Sequence, residues 1–221
     1  MPHQFIPYQQ KYVMPDEMRQ QSANFLQFMH RRRTLRQFSD QPVPLEVMQN
    51  IIMTASTAPS GAHKQPWSFC LIGNPTLKKQ IREAAEKEEY LNYHGRMTAE
   101  WLQDLTPFDT NWQKPFLETA PWLIVVFKRI YETDEQGHKQ NNYYVAESVG
   151  IATGFLLAAI HHAGLVALTH TPSPMQFLAQ ILQRPQNERP FLLIPVGYAP
   201  TNATIPNLTR KPMEEVLFTY Q

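Results

Sequence analysis

The run Trp122–Lys128, WLIVVFK, constrains this chain most. It is continuously apolar, without the in–out alternation of a strand that has one wet face. Such a strand is expected where a sheet is covered on both sides. Trp67–Ile72 reads as a second buried strand, ended by Gly73-Asn74-Pro75. Helical patterns fill the spaces between. Pro15-Asp16-Glu17 places proline and acids in a first turn, followed by Met18, Phe25 and Met29. Pro44 opens a second helix, with Val47, Met48, Ile51, Ile52 and Ala55 at three- and four-residue spacing. A charged helix is predicted from about Thr76 to Glu89 or beyond. Residues 130–142 are polar and read as a hairpin or loop. Tyr144–His162 is apolar on most of its circumference, which predicts a helix buried on all sides or lying at a subunit interface. A short strand over Gly164–Thr169, a helix over Met175–Gln183 and a strand over Pro190–Gly197 complete an order that argues α/β, with helices packed on a sheet.

At 221 residues the chain suits one domain with a real core, so 1–221 is read as a single unit. Lys and Arg nearly cancel Asp and Glu, leaving +1, so no overall field draws the chain to nucleic acid or an anionic membrane. Mean hydropathy is −0.41, and the N-terminus lacks the basic start and apolar stretch of a signal peptide, so a cytoplasmic protein is expected. Cys70 is the single cysteine and sits between Phe69 and Leu71, as an inert core thiol would. GxGxxG, Walker A, HExxH and GxSxG are all absent, and no metal site is expected. The chemistry must come from something bound.

Four segments can hold it. Arg31-Arg32-Arg33-Thr34-Leu35-Arg36 gathers guanidiniums that can clamp a phosphate, with Arg210-Lys211 as a second half; the same residues also fit a solvated basic face. Ser56–Trp67, STAPSGAHKQPW, combines Pro59, Ser60, Gly61 and Pro66 in a turn able to present backbone N–H groups to an anionic oxygen, or simply to lead into a strand. Glu89 and Tyr93 share a helical face, and Lys114 follows one loop later; together they can grip the two ends of an amino-acid zwitterion, or form a solvated charged helix. Leu168-Thr169-His170-Thr171-Pro172 lies at a strand end, where ligands of α/β sheets usually sit, and where a Thr before Pro also commonly caps a loop.

Taken in order, RRTLRQFS (32–39), TAPSGAHKQPW (57–67), EKEEYLNYHGRM (86–97), NWQKPFLETAP (111–121), LVALTHTP (165–172), LLIPVGY (192–198) and LTRKP (208–212) resemble the iodotyrosine deiodinase branch of the nitroreductase-like flavoproteins, from about Phe28 to the C-terminus. The resemblance implies an α/β (α+β) nitroreductase-like fold, with a central mixed sheet flanked by helices and an intertwined homodimer. Residues 1–13 would be an extended arm, about 86–114 an active-site lid, and about 198–221 a tail wrapped on the partner. The resemblance also implies FMN, held by Arg32, Arg33, Thr34, Arg36, Pro59, Ser60, Gly61 and Arg210, with the Thr171 hydroxyl on flavin N5 favouring one-electron transfers. Ala62 would offer its N–H to a phenolate oxygen, and Glu89, Tyr93 and Lys114 would close over the zwitterion. The implied activity is reductive dehalogenation of halotyrosines: 3-iodo-L-tyrosine, and its bromo and chloro analogues, to L-tyrosine and halide. The ultimate reductant would be NADPH or another donor, with a separate flavin-reducing partner. A broad NAD(P)H-dependent nitroreductase or flavin reductase is the alternative, and a non-catalytic flavin- or halotyrosine-binding protein is a further one. Two departures are expected: vertebrate members carry a membrane anchor that is not expected in this chain, and they have Thr where His170 stands.

Overall fold

A computed structural model describes residues 5–221. Residues 1–4, part of the expected arm, lie outside the described residues; 5–14 adopt no regular structure. Two compact units divide the chain, one running through Arg32 and one spanning Arg33–Gln221. In the first, α1 (Pro15–His30) starts at the predicted proline, with Asp16 and Glu17 in its first turn, where acids favour the helix dipole. The apolar side read from Met18 and Phe25 does not become a core face: both are more than half exposed.

The second unit is layered. Its elements run α2 (Leu45–Ser56), β1 (Trp67–Ile72), α3 (Pro75–Leu91), α4 (Ala99–Leu105), α5 (Phe116–Thr119), β2 (Trp122–Arg129), β3 (Tyr131–Thr133), β4 (Lys139–Asn141), α6 (Val145–His162), β5 (Val166–Ala167), α7 (Gln176–Ile181), β6 (Glu188–Gly197) and α8 (Met213–Val216). The sheet order is β1-β2-β6-β5, antiparallel throughout, and the mixed character comes from a parallel bridge between Thr34 and Ala167. β3 and β4 form the hairpin that the polar stretch suggested. The strand expected over Gly164–Thr169 shrinks to Val166–Ala167, because beyond it only an isolated bridge, His170 to Leu193, keeps the chain on the sheet. That release frees Thr169 and Thr171 from the ladder.

β2 shows why its sequence does not alternate. Ile124 and Val126 enter one core with Met48, Ile51 and Ala55 of α2 and Val149, Leu156 and Ile160 of α6. Leu123, Val125 and Phe127 enter a second core with Ile81 and Ala85 of α3, Leu117 of α5 and Leu178 of α7. Both faces are buried, so both must be apolar. Helix α6 is long and apolar enough to cross a membrane by length and composition. One side of it, Val149, Ala152, Leu156 and Ile160, is core, while Ile151 and Phe155 remain exposed. The tail does not bury Val216, Leu217 or Phe218 within the chain.

Candidate active site

The turn after α2 is held in an unusual backbone. Ala62, His63 and Gln65 all have positive φ (48°, 54° and 48°), although none is glycine. Left-handed backbone costs an L-residue roughly 1–2 kcal/mol, so its surroundings must impose it. Ser60 does much of this: its carbonyl accepts from the His63 N–H at 3.0 Å and its hydroxyl from the Gln65 N–H at 2.9 Å. The Gly61 N–H reaches the Ser148 hydroxyl at 3.3 Å, and a Cβ at Gly61 would lie 3.0 Å from the Tyr143 carbonyl oxygen, so the turn can approach α6 only as glycine. Ala62 is exposed and Ser60 half-buried.

The segment expected to act as a lid begins in α3. Asn74 caps this helix by accepting from the Leu77 N–H at 3.0 Å. One face then grips the chain around Lys114. The Lys78 ammonium donates to the carbonyls of Glu118 and Ala120, both at 2.8 Å; Arg82 bonds Glu118 and Glu86; and the Glu86 carboxylate accepts from the Lys114 N–H at 2.7 Å. The helix ends at Leu91 and runs into one wide turn over Asn92–Arg96, so Tyr93 follows Glu89 just beyond the helix proper. Asn92 ties this turn to the Ser173 carbonyl at 2.9 Å.

These elements, with the end of the sheet, enclose a cavity of about 180 Å³ whose lining includes Arg36, Glu89, Tyr93, Lys114, His170 and Thr171. Glu89 and Lys114 pair at 3.5 Å with side chains only 8% and 4% exposed. Lys114 also donates to Thr110 and the Asn111 carbonyl, and lies 5.4 Å from the centre of the Tyr93 ring, whose hydroxyl donates to the Thr110 carbonyl at 3.3 Å. Burial dominates their titration. It pushes the Glu89 carboxyl up and the Lys114 ammonium down, and their mutual attraction only partly opposes this. His170 is pushed down to about 3 by burial and by the charges of Lys114 and Arg36, so its imidazole is neutral.

Of the residues singled out in the sequence, Arg36, Glu89, Tyr93, Lys114 and Thr171 meet in this cavity. Thr34 and Arg36 also line a second cavity of about 260 Å³ with Phe108, Thr204 and Pro206. Arg33 is turned to the tail, donating to the Pro206 carbonyl at 2.7 Å. Arg32 closes the N-terminal unit, its N–H on the Met29 carbonyl at 3.1 Å. Arg210 is exposed, and Pro59, Ser60, Gly61 and Ala62 line neither cavity. Sequence reading missed Thr110, the acceptor that seats Lys114, and the buried position of His170. An Asx or Thr beside a key lysine carries no periodic signal, and a strand-end histidine gives no hint of its depth.

A cavity at the end of an α+β sheet, lined by Arg36, Glu89 and Lys114, sits in a chain that belongs to the nitroreductase family, whose pattern it matches over residues 29–198. Within that family its similarity is to iodotyrosine deiodinases. It is 62% identical to the iodotyrosine deiodinase of Haliscomenobacter hydrossis over 98% of this chain and 97% of that one. It is 50% identical to that of Nematostella vectensis over 96% of this chain and 80% of the relative. The fold superposes, with a TM-score of 0.75 and 31% identity, on an oxidized iodotyrosine deiodinase crystallised with FMN and 3-iodo-L-tyrosine, covering 89% of this chain and 98% of that one.

Proposed function

We propose that this chain is an FMN-dependent reductive dehalogenase of halotyrosines that works as a homodimer. The observation that carries the reading is the buried pair of opposite charges, Glu89 and Lys114, lining one cavity with the Tyr93 ring beside Lys114. An α-ammonium and an α-carboxylate are the ligand groups that such a wall can bind without leaving a buried charge unmatched. A nitroarene offers neither.

The residues fit FMN. The Arg36 guanidinium has no hydrogen-bond acceptor among the described residues, and the Thr171 hydroxyl is exposed and engaged by none of them. Arg32, Arg33, Thr34, Arg36 and Arg210 would hold the cofactor with Pro59, Ser60 and Gly61, and Thr171 would donate to its reactive ring edge. When bound, FMN supplies the two electrons that replace halogen by hydrogen. The balance is one aryl–halogen bond broken, two electrons and one proton consumed, one aryl–hydrogen bond formed and one halide released. The protein's part is placement: Glu89 accepts from the substrate ammonium, Lys114 donates to its carboxylate, Tyr93 closes the lid against water, and the Ala62 N–H meets the phenolate oxygen. In this reading the separation of the Ser60–Gln65 turn from the lid cavity follows from a site completed by two chains. The exposed apolar side of α6 and the uncovered Val216, Leu217 and Phe218 supply the surface for it.

An anaerobic single turnover tests this. Flavin-loaded, reduced protein mixed with 3-iodo-L-tyrosine is expected to yield one tyrosine per flavin as the flavin reoxidises. Flavin that stays reduced with iodotyrosine, yet is reoxidised by a nitroarene, would replace this reading with a general nitroreductase.

A further inference from the structure

Four polar residues of α3, Lys78, Arg82, Glu86 and Glu89, recur at spacings of four, four and three and so share one helical face. All four meet residues 110–120, and they do so in order, the two stretches running in opposite directions. The Lys78 ammonium donates to the carbonyls of Glu118 and Ala120, both at 2.8 Å, and Arg82 pairs with the Glu118 carboxylate. One turn on, Glu86 accepts from the Lys114 N–H at 2.7 Å with one oxygen and from Arg82 at 2.7 Å with the other. Three residues later Glu89 meets the Lys114 ammonium at 3.5 Å. Lys114 is also held from its other side, its carbonyl accepting from the Leu117 N–H at 3.0 Å. Helix α3 therefore fastens this segment by the main chain of the residue whose side chain lines the cavity with Glu89.

An ion pair alone would not fix that residue, since attraction between charges depends on distance and little on direction. A hydrogen bond to a main-chain N–H does, because it weakens steeply off its axis. A ligand zwitterion must part Glu89 from Lys114 and give each a new partner. With the Lys114 main chain tied to the helix that carries Glu89, the parting is confined to side-chain rotation. Only a ligand whose ammonium and carboxylate stand close together then satisfies both. We propose that Glu86 is a specificity-determining residue that acts through Lys114, holding the two charges at the spacing of an α-amino acid, whose ammonium and carboxylate share one carbon. This rests on the reading of Glu89 and Lys114 as the grip on a zwitterion. Glu86 touches neither substrate nor cofactor in it and is a positioning residue.

The test needs no turnover. Oxidised, FMN-loaded protein is titrated by calorimetry with 3-iodo-L-tyrosine and with its β-homologue, which has one more methylene between the ammonium-bearing carbon and the carboxylate. Two double variants isolate the acceptor. Arg82→Leu/Glu86→Gln and Arg82→Leu/Glu86→Leu both lack the ion pair behind it, and only the first keeps an oxygen for the Lys114 N–H. The native protein should prefer the α-amino acid, and the glutamine variant should keep that preference within about threefold. In the leucine variant the preference should shrink by about tenfold, the value of one hydrogen bond to a charged group. Glu86→Asp, which keeps the charge but draws its oxygens back by one methylene, should shrink it by about threefold, so the outcome does not hang on the folding of one variant. An unchanged preference in the leucine variant overturns the inference, and so does an equal loss in both double variants. Weaker binding of both ligands alike would mark a merely structural bond and overturn it too. A native protein that binds 3-iodo-L-tyrosine and its β-homologue equally would remove this role of Glu86 and leave the dehalogenase. A native protein that binds neither would overturn the zwitterion grip itself.

Discussion

Two glutamates among the described residues are almost wholly buried, and they are held in opposite ways. Glu188, at the start of β6, is 1% exposed and fully engaged: Arg184 donates to both its oxygens at 2.6 and 2.9 Å, and Arg129 adds a third bond at 3.3 Å. Burial works against its charge, but these hydrogen bonds prevail and its pKa is pulled down. Glu89 has one cationic partner, Lys114, at 3.5 Å, and burial prevails, pushing its pKa up. The first arrangement makes a carboxylate that wants to stay charged where it is. The second makes one held in place at a cost, as expected of a group meant to exchange its partner for a ligand.

The comparison can be broken most forcefully at Lys114. Lys114→Met should lower kcat/KM for 3-iodo-L-tyrosine by about 1,000-fold, roughly 4 kcal/mol, with nitroarene reduction within about twofold of native, both read by steady-state assay. Glu188→Ala should cost about 3 kcal/mol of stability in urea unfolding, because it strands the Arg184 guanidinium at the sheet end and leaves Arg129 with Glu132 alone. The double variant Glu89→Gln/Lys114→Met should instead be as stable as the native protein or up to about 1 kcal/mol more so, since a costly ion pair is removed with both its members. A comparably destabilised double variant would erase the distinction.

The pH dependence sharpens it. Glu188 has a folded pKa below its unfolded one, so its stabilisation is present above the unfolded value and is lost as pH falls through the folded one. Glu89 has the reverse shift: its cost is present at neutral pH and fades as pH falls and the carboxyl protonates. Urea midpoints from roughly pH 3 to 7 should therefore fall less steeply toward acid in Glu188→Ala and more steeply in Glu89→Gln. The smallest effect lies between the two arginines. Arg184→Ala should cost about 2 kcal/mol and Arg129→Ala about 1 or less in the same unfolding assay, because Arg129 makes one long bond and its side chain is 38% exposed.

Much of this frame is legible in the sequence, for reasons visible in particular residues. β2 is a continuous apolar run because it divides two cores, and β1, α2 and α3 begin or end at the prolines and glycine that punctuate them. The strand after α6 is misjudged because Leu165 and Leu168 are buried by loop packing rather than by a ladder. At the site, Glu89, Tyr93 and Lys114 are readable as charges that share a region, but their depth is not. Glu89 and Lys114 look like surface residues until Glu86, Arg82 and Lys78 are seen fastening the chain around Lys114 to α3. Arg36 shows the opposite failure: counted in a basic run, it separates from Arg33 because Leu35 between them is drawn into the core.

The turn at Ser60–Gln65 has a thermodynamic consequence. Three residues kept in a left-handed backbone by neighbouring contacts have given up their freedom during folding. A ligand meeting that turn at the Ala62 N–H would find it already set by the bonds of its neighbours, and binding there would lose little conformational entropy. Substitutions that release the turn from its left-handed backbone should therefore cost binding at Ala62 through entropy rather than through lost contacts.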